Sequence, residues 1–311
     1  MATTTTITST YAGEFANKYI SPALLGGRTL GNDLIAKNEG VIFKEVLQRV
    51  DLDSILKDAT CDFDATSTLT MTERVLTVKD LNVNLQFCKS KFVKSWQAIE
   101  ANPSAHRDMP ATFQDYLLGY VGAKVAAKIE KNVWQGVVTN SGEFDGFTTL
   151  AKADGNTIKV AGAAITSANV IAELEKAVAA IPNALYGGED LTIYASQNVV
   201  RSYIAALGGF GAAGLGANGV NGLGTNQVID VLHFGNIKMV QADGLKDNDI
   251  FISEKENLVF GASLMSDLME VKVLDMSELD GSDNIRVIMK MAAAVQYGIS
   301  EDVIIYSTDI V

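Results

Sequence analysis

Two cysteines and two histidines are all that this 311-residue chain holds of the side chains that most often bind metals or act as nucleophiles and bases. Cys61 and Cys88 are too few for a disulfide framework and show no C-x-x-C spacing. That excludes the usual zinc and redox motifs and fits two structural or buried thiols in a reducing compartment. His106 and His233 stand far apart, and no HExxH, GxSxG or Walker A pattern accompanies them, so spacing supports neither a two-histidine metal site nor a histidine general base. Proline is scarce at four residues, and 20% of the chain is charged against 48% hydrophobic, which excludes a disordered tail and suits a large buried core. No apolar run approaches the roughly 18 to 20 residues that cross a bilayer. The opening MATTTTITST lacks the basic head and apolar middle of a signal peptide, so a cytoplasmic origin is expected. Cations are also short, 25 against 37 carboxylates, and a net charge of -12 argues against gripping nucleic acid over the whole surface.

Glycine is what the chain has in quantity, with 27 residues, many of them in GGFGAAGLGANGVNGLG from Gly208 to Gly224. The dinucleotide-binding pattern G-x-G-x-x-G fits there at Gly209, Gly211 and Gly214, and again at Gly214, Gly216 and Gly219. A working fingerprint leaves a strand and opens a helix whose N-terminal amides meet the pyrophosphate. Here SQNVVRSYIAALG ahead of it reads as helix and TNQVIDVLHFG behind it as strand, so the order is inverted. A pliable connecting loop is the better reading. DGLKDNDIFISE, from Asp243 to Glu254, matches a calcium loop at its first, fifth, seventh and last positions, but Leu245 stands at the third and Asn248 where the sharp turn needs glycine. It reads as an acidic hairpin turn, and Asp275, Glu278, Asp280 and Asp283 as a solvated acidic loop. Lys89, Lys91 and Lys94 give the middle of the chain a local positive bias, with Phe92 and Trp96 beside them. Solvated faces and salt bridges between subunits are the expected use. No catalytic, cofactor-binding or metal-binding residue is expected, and the chain does not read as an enzyme.

The length suggests about two domains. Thr3 to Thr10 form a polar leader, and the stretch to Gly40, broken by Pro22, Gly26, Gly27 and Gly31, reads as an arm that needs a surface to lie on. Leu69 and Met71 alternate with threonines, and Leu81, Val83, Leu85 and Phe87 alternate with Asn82, Asn84 and Gln86. Two long strands of an extended hairpin, about 35 residues in all, are expected from that period of two. A lone ribbon is marginal in water, so something else must cover it. Phe113, Leu117, Val121, Val125, Ile129 and Val133 recur every fourth residue and predict a long helix from Ala111 to Gln135, with Lys124, Lys128 and Lys131 off the stripe. A second region follows: a helix from Ala168 to Ala180 capped by Thr166 or Ser167, a strand from Leu191, and a helix from Gln197 to Leu207. Seven short strand candidates come after the glycine run: VIDVL, NIKMVQ, DIFIS, NLVFG, MEVKVLD, NIRVIMKMA and DVIIYS. They predict a substantial antiparallel sheet.

This order resembles that of tailed-bacteriophage major capsid proteins, the Hong Kong 97-type fold. TVKDLNVNLQFCKSKFVKSW looks like the hairpin strand that feeds the spine, PATFQDYLLGYVGAKVAAKIEKNVWQG like the spine helix, and HFGNIKMVQADGLKDNDIFISEKENLVFG like the strand, D-G turn and strand that lead back to the peripheral domain. The resemblance implies an α+β fold with an N-terminal arm (1–49), an extended loop (50–93), a peripheral domain with the spine helix (94–140), an axial α/β domain (141–260) and peripheral return strands (261–311). It also implies self-assembly into hexamers and pentamers, as an icosahedral shell around a double-stranded DNA genome. Portal and scaffold or decoration proteins would be partners, the packaged DNA would be met without sequence-specific binding, and no membrane would be involved. Such a chain would be made in the bacterial cytoplasm and end in the virion. The glycine run would lie in the axial domain, where a pliable loop tolerates fivefold and sixfold packing. The alternatives are an encapsulin-like nanocompartment shell and, from another class, an NAD-dependent oxidoreductase using Gly208 to Gly224.

Overall fold

A computed structural model describes residues 27–52, 56, 58, 61, 69–88, 111–188, 190–207, 232–263, 272–278 and 281–310. The glycine run, the leader, His106, Lys89, Lys91, Lys94, Phe92 and Trp96 lie outside the described residues, as does most of the expected VIDVL strand.

The long helix forms where the four-residue stripe places it, at Ala111–Gln135 (α2). At 1.5 Å per residue it is about 37 Å long. Val121, Ile129 and Val133 are buried, while Lys124, Lys128 and Lys131 point to solvent. The stripe packs against strands whose odd positions are apolar. β12 (Asn284–Tyr297) alternates buried Ile285, Val287, Met289 and Met291 with exposed Arg286 and Lys290. Its neighbours complete a five-stranded sheet: β4 (Lys79–Cys88) on one side, β10 (Leu258–Ala262) and β11 (Lys272–Asp275) on the other, and β1 (Ala36–Glu39) parallel to β10 at the edge.

A second sheet has six strands in the order β5 (Ile158–Ala161), β13 (Ile304–Ser307), β9 (Ile250–Glu254), β6 (Leu191–Ala195), β8 (Ile237–Gln241) and β7 (Leu232–Phe234). Helices α4 (Val170–Ala179) and α5 (Gln197–Ala206) cover it, with Leu174, Ala177, Val199 and Tyr203 sharing one cluster with Ile193, Ile252 and Ile304. Ile304–Ser307, expected among the strands that return to the spine helix, instead pairs with β5 and β9 in this second sheet.

Where the two sheets meet, Trp134 at the end of α2 stands in contact with Phe147 of α3 (Phe147–Ala153), Tyr194 and Phe251, with ring centroids 5.2 to 5.6 Å away. The turn at Asp243 and Gly244 closes on the same place. A Cβ on Gly244 would lie 2.1 Å from the Glu130 carbonyl oxygen, so only glycine admits this approach.

Two expectations are corrected. The strand at Leu69–Thr77 (β3) does not form a hairpin with β4; one residue, Val78, separates them, and the tightest common hairpin needs a two-residue loop. β3 pairs with β2 (Lys44–Leu52), in register from Lys44↔Thr77 to Leu52↔Leu69, while β4 forms a ten-rung ladder with β12. The apolar alternation of β4 finds a ready-made core there, which β3 could not supply. The described part of the stretch read as an arm is also not free of the body. Helix α1 (Arg28–Gly31) buries Thr29, and Ile35 is 1% exposed.

Candidate self-association surface

Directly opposed residues in an antiparallel pair share a face, so the register divides the β2–β3 ribbon into two unlike sides. One carries Val46 with Val75, Gln48 with Glu73, and Val50 with Met71. The other carries Glu45 with Leu76, Leu47 with Arg74, and Arg49 with Thr72. Water-soluble sheets normally turn the apolar side inward. Here the order is reversed: Val46 is 45% exposed, Val50 54%, Met71 58% and Val75 43%, while the charged side faces the chain's own body.

Specific contacts impose that orientation. Leu76 is fully buried among Val41, Val259 and Ala294, seated over Gly261, where a Cβ would lie 2.5 Å from its Cδ2. Arg74 pairs with Asp154 and lies over the Tyr297 ring, 4.6 Å from the centroid. The Tyr297 hydroxyl donates to the same Asp154 carboxylate at 3.0 Å. Burial works against the charge of Asp154, but the Asn156 N–H, Arg74 and the Tyr297 hydroxyl together hold it below the usual carboxylate value. Farther along the ribbon, Arg49 reaches Glu301 at 2.7 Å. Between ribbon and body lies a polar cleft of about 620 Å³, lined by Thr70, Thr72, Asn156 and Ser300 among others. At the ribbon's foot Lys79 donates to the carbonyls of Val138 and Glu143, 2.9 and 2.7 Å away. Ile42 and Phe43, just ahead of β2, are 87% and 67% exposed and extend the apolar surface.

A second set of contacts ties the segment before β1 to the spine. The carboxylate of Glu130, 1% exposed, accepts from the Thr29 N–H at 3.0 Å and from its hydroxyl. That hydroxyl in turn accepts from Trp134 Nε1 at 2.8 Å. Burial raises the Glu130 pKa against the pull of those bonds. Arg28 pairs with Asp243 at 3.3 Å, and the Tyr194 hydroxyl donates to the Leu34 carbonyl at 2.6 Å.

The residues singled out by sequence do not converge. His233 is exposed on β7, Cys88 is half-buried at the end of β4, and Cys61 is exposed. In the calcium-like stretch Asp243 faces Arg28 while Asp249 is buried 3.7 Å from Lys152. Asn248 adopts a left-handed turn conformation at φ 69°. Among the described residues no three His, Cys, Asp or Glu side chains gather closely enough to hold a metal ion. The ribbon is what sequence reasoning misplaced. Its signal was present in KEVLQRVDL, where Val46 and Val50 fall on one side and Glu45, Arg49 and Asp51 on the other.

No protein-family model and no curated protein matches the chain. Its fold is similar to that of solved structures from phages and related particles. A chain from Gordonia phage Cozz superposes with a TM-score of 0.62 at 10% identity, covering 95% of this chain and 90% of that one. The capsid of a native GTA particle gives 0.61 at 11% identity and 92% coverage of both chains. The capsid of Myoviridae phage XM1 gives 0.58 at 9% identity, covering 93% and 94%. The mixed α and β fold of this chain is thus one found in phage capsids.

Proposed function

We propose that this chain is the major shell subunit of a tailed-phage-type capsid, with the Hong Kong 97-type arrangement, assembling as hexamers and pentamers around double-stranded DNA. The observation that carries the reading is the inverted ribbon. Val46, Val50, Met71 and Val75 face outward on a two-stranded ribbon whose other side is fastened to its own body. Each such side chain, fully covered, contributes roughly 1.5 to 3 kcal/mol. The subunit forgoes that stabilisation when alone. A neighbouring copy supplies the cover. The fold shared with phage and GTA capsids supports the same conclusion.

In this reading the five-stranded sheet with the spine helix is the peripheral domain, the six-stranded sheet with α4 and α5 is the axial domain, and the ribbon is the extended loop. The work is mechanical: fixing curvature and closing a wall, with no chemical step. The net charge of -12 suits a wall along which packaged DNA slides. Portal, scaffold or decoration proteins complete the particle, which is made in the host cytoplasm.

Sedimentation and electron microscopy of the purified protein test this directly. Closed shells or capsomer rings are expected, and a stable monomer at micromolar concentration overturns the proposal. Shells enclosing an enzyme and no DNA indicate a nanocompartment.

A further inference from the structure

The five-stranded sheet has two unlike faces. Odd positions of β12, with Leu81, Val83 and Phe87 of β4, share one apolar cluster with Val121, Ile129 and Val133 of the spine helix, while Leu85 is 42% exposed. Even positions form the opposite face: Asn82, Asn84 and Gln86 of β4 lie beside Lys290, Ile288 and Arg286 of β12, with Lys272 opposite Ile288 and Leu274 opposite Arg286 on β11. Arg286, Lys290 and Lys272 therefore share this face with one carboxylate, Asp80, at its end opposite Ala292, in a protein whose net charge is -12. Arg286 donates to Gln86 Oε1 at 3.0 Å, which holds its guanidinium on the sheet surface, and Lys290 has no carboxylate partner among the described residues. Leu274, 41% exposed, adds an apolar spot beside Ile288. An apolar centre ringed by polar and charged groups is the anatomy of a protein interface.

The counter-charge lies at the other end of the same strand. Beyond Tyr297, where β12 ends, the turn holds Glu301 and Asp302; Glu254 ends β9 opposite Leu191, the residue after Asp190, and Glu256 follows in the turn to β10, where it lines one pocket with Asp190. Burial first, and then the charges of Asp302, Asp190 and Glu256, raise the Glu254 pKa. Three cations lie among these acids: Arg49 pairs with Glu301 and also acts on Asp302, Lys37 pairs with Asp33, and Lys255 stands between Glu254 and Glu256. From Lys290 to Tyr297 the strand alone spans about 23 Å at 3.3 Å per residue, so the two charge groups cannot neutralise each other within one subunit. Among the described residues, the face around Lys290 thus carries an excess of cations and the region beyond Tyr297 an excess of carboxylates.

We infer that the outer face of β4, β12 and β11 is a docking surface for a second copy of this chain, whose acidic edge at Glu254, Glu256 and Asp302 seats against Arg286 and Lys290. Such a contact joins different patches on the two partners. It is heterologous, the kind that propagates head to tail until a ring closes. Opposite potentials steer copies into this register, and like-charged alternatives are disfavoured. The inference rests on the shell-subunit reading and assigns to it a contact separate from the ribbon.

Charge reversal tests it. Arg286→Glu with Lys290→Glu is expected to cut the fraction of protein sedimenting as rings or shells by at least about tenfold, as is Glu256→Lys with Asp302→Lys. All four substitutions in one chain are expected to restore assembly, because the charges are then exchanged between partners. If the paired substitutions lower the melting temperature, Lys290→Glu alone against Glu256→Lys alone serves, both being exposed. Should wild-type protein fail to assemble, the shell reading itself falls. Unchanged assembly by the reversed variants, or failure of the fourfold variant to recover while still folded, overturns the docking surface. So does a reversed variant that assembles normally but loses only its enclosed DNA, since the face would then meet phosphate.

Discussion

Trp134 and Thr29 lie 105 residues apart, yet the indole Nε1–H donates to the Thr29 hydroxyl at 2.8 Å, and that hydroxyl passes its own proton toward the Glu130 carboxylate. One small side chain satisfies two large buried polar groups at the junction of both sheets. It also fixes where the segment before β1 leaves the body, and so where the ribbon begins.

Thr29→Val is therefore expected to destabilise the fold by about 1 to 3 kcal/mol, because it keeps the volume and leaves buried donors and acceptors unmatched. Thr29→Ser keeps the hydroxyl and loses far less. Urea unfolding followed by Trp134 fluorescence separates the two.

Leu76 is the pivot of the ribbon. Leu76→Ala removes a fully buried side chain and is expected to cost about 2 to 5 kcal/mol if the seat cannot collapse. Gly261→Ala acts on the other partner, placing a Cβ 2.5 Å from Leu76 Cδ2 and pushing that side chain out. Both variants should speed amide exchange in β2 and β3 while leaving the six-stranded sheet unchanged.

The Arg74, Asp154 and Tyr297 cluster makes ribbon seating sensitive to acid. Asp154 is held below its ordinary value of 3.8 in the folded chain, so its contribution is complete above that value. As pH falls through the lower folded value the carboxylate protonates and the contribution is lost. Wild-type stability should therefore drop below about pH 4 by more than that of Asp154→Asn, measured by thermal unfolding across pH 2.5 to 7. Arg74→Lys keeps the charge but loses the planar stack on Tyr297, and is expected to recover only part of the seating.

Val50→Lys together with Met71→Glu places an opposite-charge pair across the ladder and alters the exposed apolar side and nothing buried. Folding is expected to be retained within about 0.5 kcal/mol, as for surface positions generally. Assembly should be abolished. Sedimentation velocity alongside a thermal melt shows both, and normal shells from this variant would contradict the ribbon's role.

Periodicity made much of the fold legible. The stripe through Val121, Ile129 and Val133 marked the spine helix, the stretch from Gln197 to Leu207 a further helix, and NIRVIMKMA, with Ile285, Val287, Met289 and Met291 at alternate positions, a strand. These patterns report that a face is covered. They do not report by what, which is why Leu81 to Phe87 could be read as half of a hairpin when β12 is its partner. The ribbon's surface was harder still, because alternation in Val46 and Val50 reads the same whether the apolar side points in or out.

Local spacing by itself determined where helices and strands form and which side of each is apolar, since both follow from 3.6- and 2-residue repeats along the chain. Only the tertiary structure decided which strands pair, that Thr29 serves Glu130 and Trp134, and that Arg74, Arg49 and Leu76 turn the ribbon's oily side outward. Those outcomes depend on distances between groups up to 252 residues apart, as at Arg49 and Glu301, and no local repeat encodes them.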